Sequence, residues 1–529
     1  IRGDKVFKCK SCGGDLIFNI EKQDMECMFC NSHFAVEEYA EDRAADEDEV
    51  YETTVYTCTQ CGAELTSQDN SAVAFCSYCG TEAVLEGRIS QAYRPSHIVP
   101  FKKTKEECKK IYLEKATREP YVPKEFKDPQ FIDKFRGIYI PYWEYDVAFN
   151  NEPVLKVNES YTSGNYRYDN VYNVKPEIKD TNIIIPCDAS ASFDDEIAGE
   201  IAPYHKESIR DFNPAYLAGF FADTADVEKE VYADEAVGRA QDHVLSNVTK
   251  DFKEGAHIEI SNDDKERSRI LGTECRGVKG SLYPVWFLTW RHDKRLAYGV
   301  INGETGKISA EIPVDIKTFM MVSGIIAILV FLVMTLTGAL ILPPTVLIFA
   351  DIAAYIAQYY YQKEVSAIME KETNRNNLGA LSAKELEEMK KKGRKRGKKG
   401  LSAVVIFAVV GILAFFFVML DTYERLHFIT PVIFIVGFIW FIRTLKPLAR
   451  IKEKRMIFGA ILPVVAQFIA AAIGIMLPAA DWIYYLGCVV VFGALTVTSL
   501  GLILEYNLLT TRSIPDFHDR KGGNKDAGR

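Results

Sequence analysis

The sequence predicts a multidomain fold: two small cysteine-built β ribbons, a mixed α+β soluble domain, and a C-terminal α-helical transmembrane bundle of about six spans. Three observations carry this expectation. Cys9, Cys12, Cys27 and Cys30 recur 49 residues later as Cys58, Cys61, Cys76 and Cys79. Short β-rich runs alternate with helix-compatible ones from His97 to about Lys317, and long apolar runs fill most of the chain beyond Lys317. A length of 529 residues suits roughly three or four domains. The hydrophobic fraction of 48% and the net charge of -9 average over a polar first part and a strongly apolar remainder.

Each quartet reads CxxC, fourteen residues, CxxC, which is long enough for two knuckles joined by a small β-ribbon, the arrangement of a structural zinc site. The residue after each knuckle's second cysteine is Gly13, Asn31, Gly62 or Gly80, types that tolerate the left-handed backbone a tight knuckle turn demands. The repeat also matches Phe7 with Tyr56, Leu16 with Leu65 and Phe29 with Tyr78, giving each unit a minimal apolar packing of its own. Units this small bury too little surface to fold alone, so metal binding supplies the missing stability. The expected ligands are the eight cysteines around two Zn2+ ions, with a redox dithiol or an iron–sulfur centre as the competing chemistry. Such thiolates imply a reducing cytosol. A closed four-thiolate site has no open coordination position, so it scaffolds and does not catalyse. His33 lies close to Cys30, but each quartet is complete without it, and it reads as a surface histidine.

Charge decides what the ribbons bind. Between Thr53 and Gly87 there is no Lys or Arg, while Glu64, Asp69, Glu82 and Glu86 are acidic, so the positive footprint that phosphate backbones require is missing. The first ribbon balances Lys5, Lys8, Lys10 and Lys22 against Asp15, Glu21, Asp24 and Glu26, and the linker "EDRAADEDEVYE" is acidic. A protein partner is expected, not nucleic acid.

In the middle region, "KTKEECKKIYLEKATR" is helix-compatible up to Pro120, and "ADVEKEVYADEAVGRAQDHVLSNVTKDF" places Val237, Val244, Val248 and Phe252 near one helical face. Strands are expected at "PVLKVN", "NYRYDNVYNV", "TNIIIP" and "HIEIS", and "RLAYGVINGETGKISAEIPV" reads as a hairpin turning at Asn302 and Gly303. An internal echo, GxxxPxW, links Gly137, Pro141 and Trp143 with Gly280, Pro284 and Trp286, as two related halves would. The run "GETGK" resembles the end of a phosphate-binding loop. It has Ile301 at the first glycine position and Ile308 at the hydroxyl position, so it reads as a turn. No nucleophile elbow, HExxH or Rossmann fingerprint appears, Cys108, Cys187 and Cys275 lack an activating motif, and the histidines are scattered. The chain is not expected to be an enzyme.

Apolar runs occur at about 319 to 342, 345 to 361, 401 to 420, 428 to 442, 457 to 478 and 482 to 504. At a rise of ~1.5 Å per residue, four of them span a core of ~30 Å outright, and 345–361 and 428–442 are shorter. Lys and Arg collect in "KKKGRKRGKK" and "RTLKPLARIKEKR", whereas "PP", "DTYERLH" and "PAAD" hold only Arg425. Short cytoplasmic loops collect such residues, so six crossings with both ends cytoplasmic are expected. Within the runs Asp351 stands out, with Gln467 as a polar companion, as the feature that favours a transporter or channel subunit. Lys390 to Lys399 serves as a topology determinant or a site for anionic headgroups, after a short helix whose capping box is Ser382 and Glu385.

Paired ribbons, "IVPFKKTKEE", "FRGIYIPYWEYDVAF", "YPVWFLTW" with "VINGETGK", then spans and the tail "EYNLLTTRSIPDF", resemble the YdjG-like bacterial tandem-zinc-ribbon membrane proteins. That family often carries a label as the primosomal replication-restart helicase. The resemblance implies instead a partner for flotillin-like SPFH proteins, associated with TPM-domain proteins and envelope stress. The expected organisation is zinc ribbon 1 at 1–40, acidic linker 41–52, zinc ribbon 2 at 53–90, the mixed α/β cytoplasmic domain 97–317, a transmembrane hairpin 318–361, a basic loop 362–400, four further spans in 401–505 and a cytoplasmic tail 506–529. The expected function is an integral membrane adaptor or scaffold of the bacterial cell membrane, contacting the lipid bilayer and an SPFH-like protein, with self-association left open. A membrane-tethered nucleic-acid-binding protein linked to replication, and a transporter or channel subunit, are the alternatives.

Overall fold

The computed structural model describes residues 7–39, 50–67, 76–81, 86–336, 343–372, 378–379, 422–450, 454–515 and 517, apart from 165, 254, 262, 293 and 294. The run 401–420, the basic stretch Lys390 to Lys399, the Ser382 capping box and the end of the tail lie outside these residues.

The first ribbon is a sheet of its own, with β1 (Leu16–Asn19), β2 (Asp24–Cys27) and β3 (His33–Phe34) pairing antiparallel in that order. The second ribbon, β4 (Val50–Thr57), β5 (Glu64–Ser67) and β6 (Glu86–Tyr93), is instead one wing of a twelve-stranded sheet among the described residues. The acidic linker gives its last residues, from Val50 onward, to β4. Every other strand forecast in the middle region is present. In chain order the domain contains β7 (His97–Ile98), β8 (Arg136–Phe149), β9 (Leu155–Ser163), β10 (Tyr166–Val174), β11 (Thr181–Asp188), β12 (Arg210–Asp211), β13 (Phe221–Asp223), β14 (His257–Glu259), β15 (Thr273–His292), β16 (Arg295–Asn302) and β17 (Ile308–Ala310).

The GxxxPxW echo is a structural duplication. β8 and β15 pair antiparallel with Gly137 opposite Trp286 and Trp143 opposite Gly280, so the two motifs face each other about a local two-fold axis. Their neighbours obey the same symmetry. β13 runs parallel to β8 at Ile138 and Tyr139, and β7 runs parallel to β15 at Ser281 and Leu282, the same places in the two motifs. β11 pairs with Tyr142 to Phe149, and β16 with Val285 to His292.

Helices α1 (Lys105–Arg118), α2 (Pro129–Ile132), α3 (Asp195–Ile201), α4 (Ala233–Thr249) and α5 (Asp264–Leu271) cover this framework. α1 starts where Thr104 and Glu107 form a capping box, satisfying two of the N–H groups a helix start leaves free. α4 buries Ala236, Ala240, Gln241 and Val244, a face offset from the one predicted, because small residues let it lie close to the sheet. The "GETGK" run is the turn from β16 to β17, with Gly306 at φ 79° and its N–H bonded to Asn302 O.

Beyond the sheet come α6 (Ile316–Leu336), α7 (Pro343–Glu372), α8 (Thr422–Arg450), α9 (Lys454–Met476) and α10 (Asp481–Leu509). Among the described residues three stretches are long and apolar enough to cross a membrane: Glu424–Ile442, Met456–Met476 and Asp481–Leu509. The expectation of about six spans is corrected to these three. The run 428–442 gains length from its helical continuation, whereas 345–361 sits in a helix diluted by Asp351, Gln358 and Gln362.

α7 to α10 pack as a bundle. Leu347 lies against Gly487 and Tyr361 against Gly501, so α7 and α10 run parallel; Tyr361 also meets Gly459 and Ile473 meets Gly487, so α9 runs the other way. Glycines mark the close approaches, as expected where no hydrophobic force draws helices together. A Cβ on Gly474 would lie 2.8 Å from the backbone O of Leu426, which cannot move aside, whereas one on Gly493 meets nothing within 4 Å. Gly474→Ala is therefore expected to cost about 1–3 kcal/mol and lower the melting midpoint in detergent, with Gly493→Ala unchanged.

The bundle's exterior differs from that of a water-soluble protein. Phe349, Ile356, Phe438, Phe458, Phe468, Val489 and Phe492 are exposed, while Asp351, Gln358, Gln362, Thr430, Gln467 and Thr498 are buried. An apolar exterior of this extent around polar interior positions is the pattern a bilayer imposes.

Candidate metal centres

Each knuckle is made by the same backbone device. Gly13, Asn31, Gly62 and Gly80 all adopt positive φ (77°, 56°, 75° and 69°), as their residue types predicted. Their N–H groups bond back to the carbonyls of Cys9, Cys27, Cys58 and Cys76 at 2.8, 3.0, 2.8 and 2.9 Å. Asn31 is tolerated there because its short polar side chain makes left-handed backbone less costly than for other non-glycine residues.

Four such turns bring the sulfurs into two groups, Cys9, Cys12, Cys27, Cys30 and Cys58, Cys61, Cys76, Cys79, each with all its Sγ atoms within 4.8 Å of one another. Sγ separations are 3.6 Å for Cys9–Cys30 and 3.5 Å for Cys12–Cys27 in the first group, and 3.7 Å for Cys58–Cys79 and 3.8 Å for Cys61–Cys76 in the second. A tetrahedral zinc with bonds of about 2.3 Å holds its sulfurs about 3.8 Å apart, whereas a disulfide needs about 2.05 Å. Both groups therefore fit one metal ion each, consistent with zinc, and neither is a set of disulfides. As bare thiols the sulfurs perturb one another: hydrogen bonding from Cys61 draws Cys58 down to about 6, and the same contact pushes Cys61 up. Hydrogen bonding from Ser32 draws Cys30 down to about 6. Converging thiols of this kind release protons to solvent when a cation binds, and the cation stabilises the thiolates that result.

The two groups occupy unlike surroundings. All four cysteines of the second are buried in a core that includes Ile138, Tyr142, Tyr283, Phe287 and Tyr298 from the duplicated sheet. Thr289 donates to Ser77 O, Tyr298 Oη to Tyr78 O, and Arg291 to Thr81 Oγ1. The peptide N–H of Phe517, beyond the last helix, donates to Cys61 O at 2.7 Å. In the first group Cys12 and Cys30 are exposed. That ribbon touches the domain through Phe18 N to Ala218 O, Gln23 Nε2 to Phe101 O and Asn213 Nδ2 to Val36 O.

The equivalent knuckle tips differ most. Ser77 and Tyr78 are 2% and 1% exposed, while Met28 and Phe29, at the same places in the first repeat, are 62% and 76% exposed. Phe7, Leu16, Tyr56 and Leu65 are buried as the repeat predicted; Phe29 corrects the expectation that each unit packs its own tip. His33 pairs with Asp24, its Nδ1 3.1 Å from Oδ1, and takes no part in the metal group. Burial pushes the Cys108 and Cys187 thiols up to about 12, away from reactivity.

What the sequence did not disclose is the tail. β18 (Arg512–Ser513) joins β16, with Leu296 opposite Arg512. Arg512 reaches Asp194 Oδ2 at 2.9 Å and Glu311 Oε1 at 2.8 Å and lies over the Tyr298 ring. Next to Asp194, Asp195 accepts the N–H of Leu378 at 2.8 Å, so the start of α3 holds segments that come after two different bundle helices.

No family model and no solved structure matches the chain. It is similar to an uncharacterized protein, YdjG of Bacillus subtilis (strain 168), with 26% identity over 316 residues, covering 58% of this chain and 90% of that protein.

Proposed function

We propose that this chain is a non-enzymatic integral membrane adaptor or scaffold that holds two zinc ions in cytoplasmic ribbons and binds a flotillin-like SPFH protein through the first of them. One observation supports the reading above others: the second repeat buries its knuckle tip in its own domain, and the first repeat presents the same tip, Met28 and Phe29, to solvent. A metal-stiffened turn carrying an aromatic and a methionine is the type of low-entropy apolar anchor that dominates interfaces. The partner class comes from the resemblance to YdjG-like proteins, whose ribbons lead into membrane spans.

Multi-pass insertion, with both ends cytoplasmic in a bacterial cell membrane, completes the proposal. Val314, where the chain leaves the soluble domain for α6, exchanges hydrogen bonds with Asn507 at the end of α10, at 2.8 and 2.9 Å. A chain that enters and leaves the bundle beside itself has both ends of its membrane region on one face, which favours a shared cytoplasmic side for the two termini.

The test is co-purification of the full chain from crosslinked cells in mild detergent. Phe29→Ser is expected to lower recovery of an SPFH protein about thirtyfold, the effect of losing an interface anchor of 2 kcal/mol. Equal recovery with both proteins would refute the docking role.

A further inference from the structure

The bundle holds an acid that nothing in the fold accounts for. Asp351 is 0% exposed, eight residues into α7, and neither carboxylate oxygen has a hydrogen-bond partner among the described residues. Its neighbours on α7, Ala350 and Ala354, belong to the apolar cluster at the centre of the bundle, together with Ile433, Ala470 and Val491 of the other helices. An ionised carboxylate in such a place carries a desolvation cost that no partner offsets, so the group needs something to neutralise it. A calcium-like or magnesium-like ion would need six or more oxygens around it. A proton needs none.

The same face of α7 continues in polar residues. Tyr355, Gln358 and Gln362 come after Asp351 at helical spacings of four, seven and eleven residues, a row about 16 Å long. Gln358 is bonded to Gly437 O at 3.0 Å and to Gln467 at 2.8 Å, which is interhelical glue. The Tyr355 hydroxyl, both amide atoms of Gln362 and Oε1 of Gln467 are buried without partners among the described residues, as they would be along a file that ordered water completes. The row leads toward the end of the bundle nearest the soluble domain, where Glu505 is buried one turn beyond the contact of Gly501 with Tyr361.

We propose that Asp351 is a reversible proton-binding site inside the bundle, reached from the soluble-domain side along Gln362, Gln467 and Gln358. This rests on the bundle lying in a membrane and not on the partner of the ribbons.

The experiment uses the full chain in phospholipid vesicles treated with a hydrophobic carbodiimide, which forms a stable adduct at protonated carboxyls in apolar settings. Peptide mass spectrometry is expected to find the adduct on Asp351, to find it declining as pH rises, and to find none in Asp351→Asn. Asp351→Glu retains the adduct and guards against a variant that fails to fold. Inserted protein that forms no adduct at Asp351, or an adduct whose yield does not fall as pH rises, overturns the site. Protein that fails to insert at all overturns the membrane reading instead.

Discussion

Cys61→Ser is expected to unfold the soluble domain, whereas Cys12→Ser is expected to leave it folded and free only the N-terminal ribbon. Both substitutions remove one thiolate from a four-thiolate site, and structural zinc of this type is worth about 10–16 kcal/mol of folding free energy. A domain's whole net stability is about 5–15 kcal/mol, so what matters is how much structure depends on each metal. The second group sits in the core beside Tyr283, Phe287 and Tyr298, and β5 and β4 continue the sheet outward from β13. Loss of that metal removes a wall of the core. The first group organises a sheet that, among the described residues, shares no strand pairing with the domain. Metal content should fall from two ions to one in either variant, while hydrogen exchange in β8 and β15 should collapse only in Cys61→Ser. Equal collapse in both would contradict the assignment of one metal to the core and one to a projecting ribbon.

Arg512→Met is expected to release the tail. The guanidinium is held between Asp194 and Glu311, with side chains 18%, 24% and 16% exposed, so the pair of contacts is shielded from solvent although not wholly buried. Removing one partner of such an arrangement leaves two carboxylates facing each other, at a cost of about 3 kcal/mol, the lower end for breaking a buried pair. That corresponds to roughly a hundredfold more of the opened tail. Because Phe517 bonds to Cys61 O and packs its ring near Tyr78, opening also uncovers the second metal group. Protease cleavage after α10 and zinc loss to a chelator should both accelerate, the latter at the second site alone.

Local chemistry in the sequence disclosed a large part of this fold. Gly13, Asn31, Gly62 and Gly80 foretold four left-handed turns because backbone conformation there is decided by the residue itself. Three matching positions in GxxxPxW foretold a duplication, because a close strand crossing needs a glycine opposite a large ring: a Cβ on Gly280 would lie 3.3 Å from Trp143. What stayed hidden depends on distant partners. Phe29 and Tyr78 are interchangeable in the repeat, and only the presence of β15, β16 and the tail beside one of them buries it. Arg512 is a single arginine in a polar tail, and no local pattern announces Asp194, more than three hundred residues away. The span count failed where α7 mixes apolar residues with a polar inner face, since hydropathy averages the lipid side with the bundle side.

Docking through the first ribbon is tested most directly by binding of a purified SPFH domain to the zinc-loaded full chain in lipid nanodiscs. Saturable binding is expected, weakened about thirtyfold by Phe29→Ser and unchanged by Gly493→Ala. Binding that is indifferent to Phe29, or no binding by the intact zinc-loaded chain, would contradict the adaptor role.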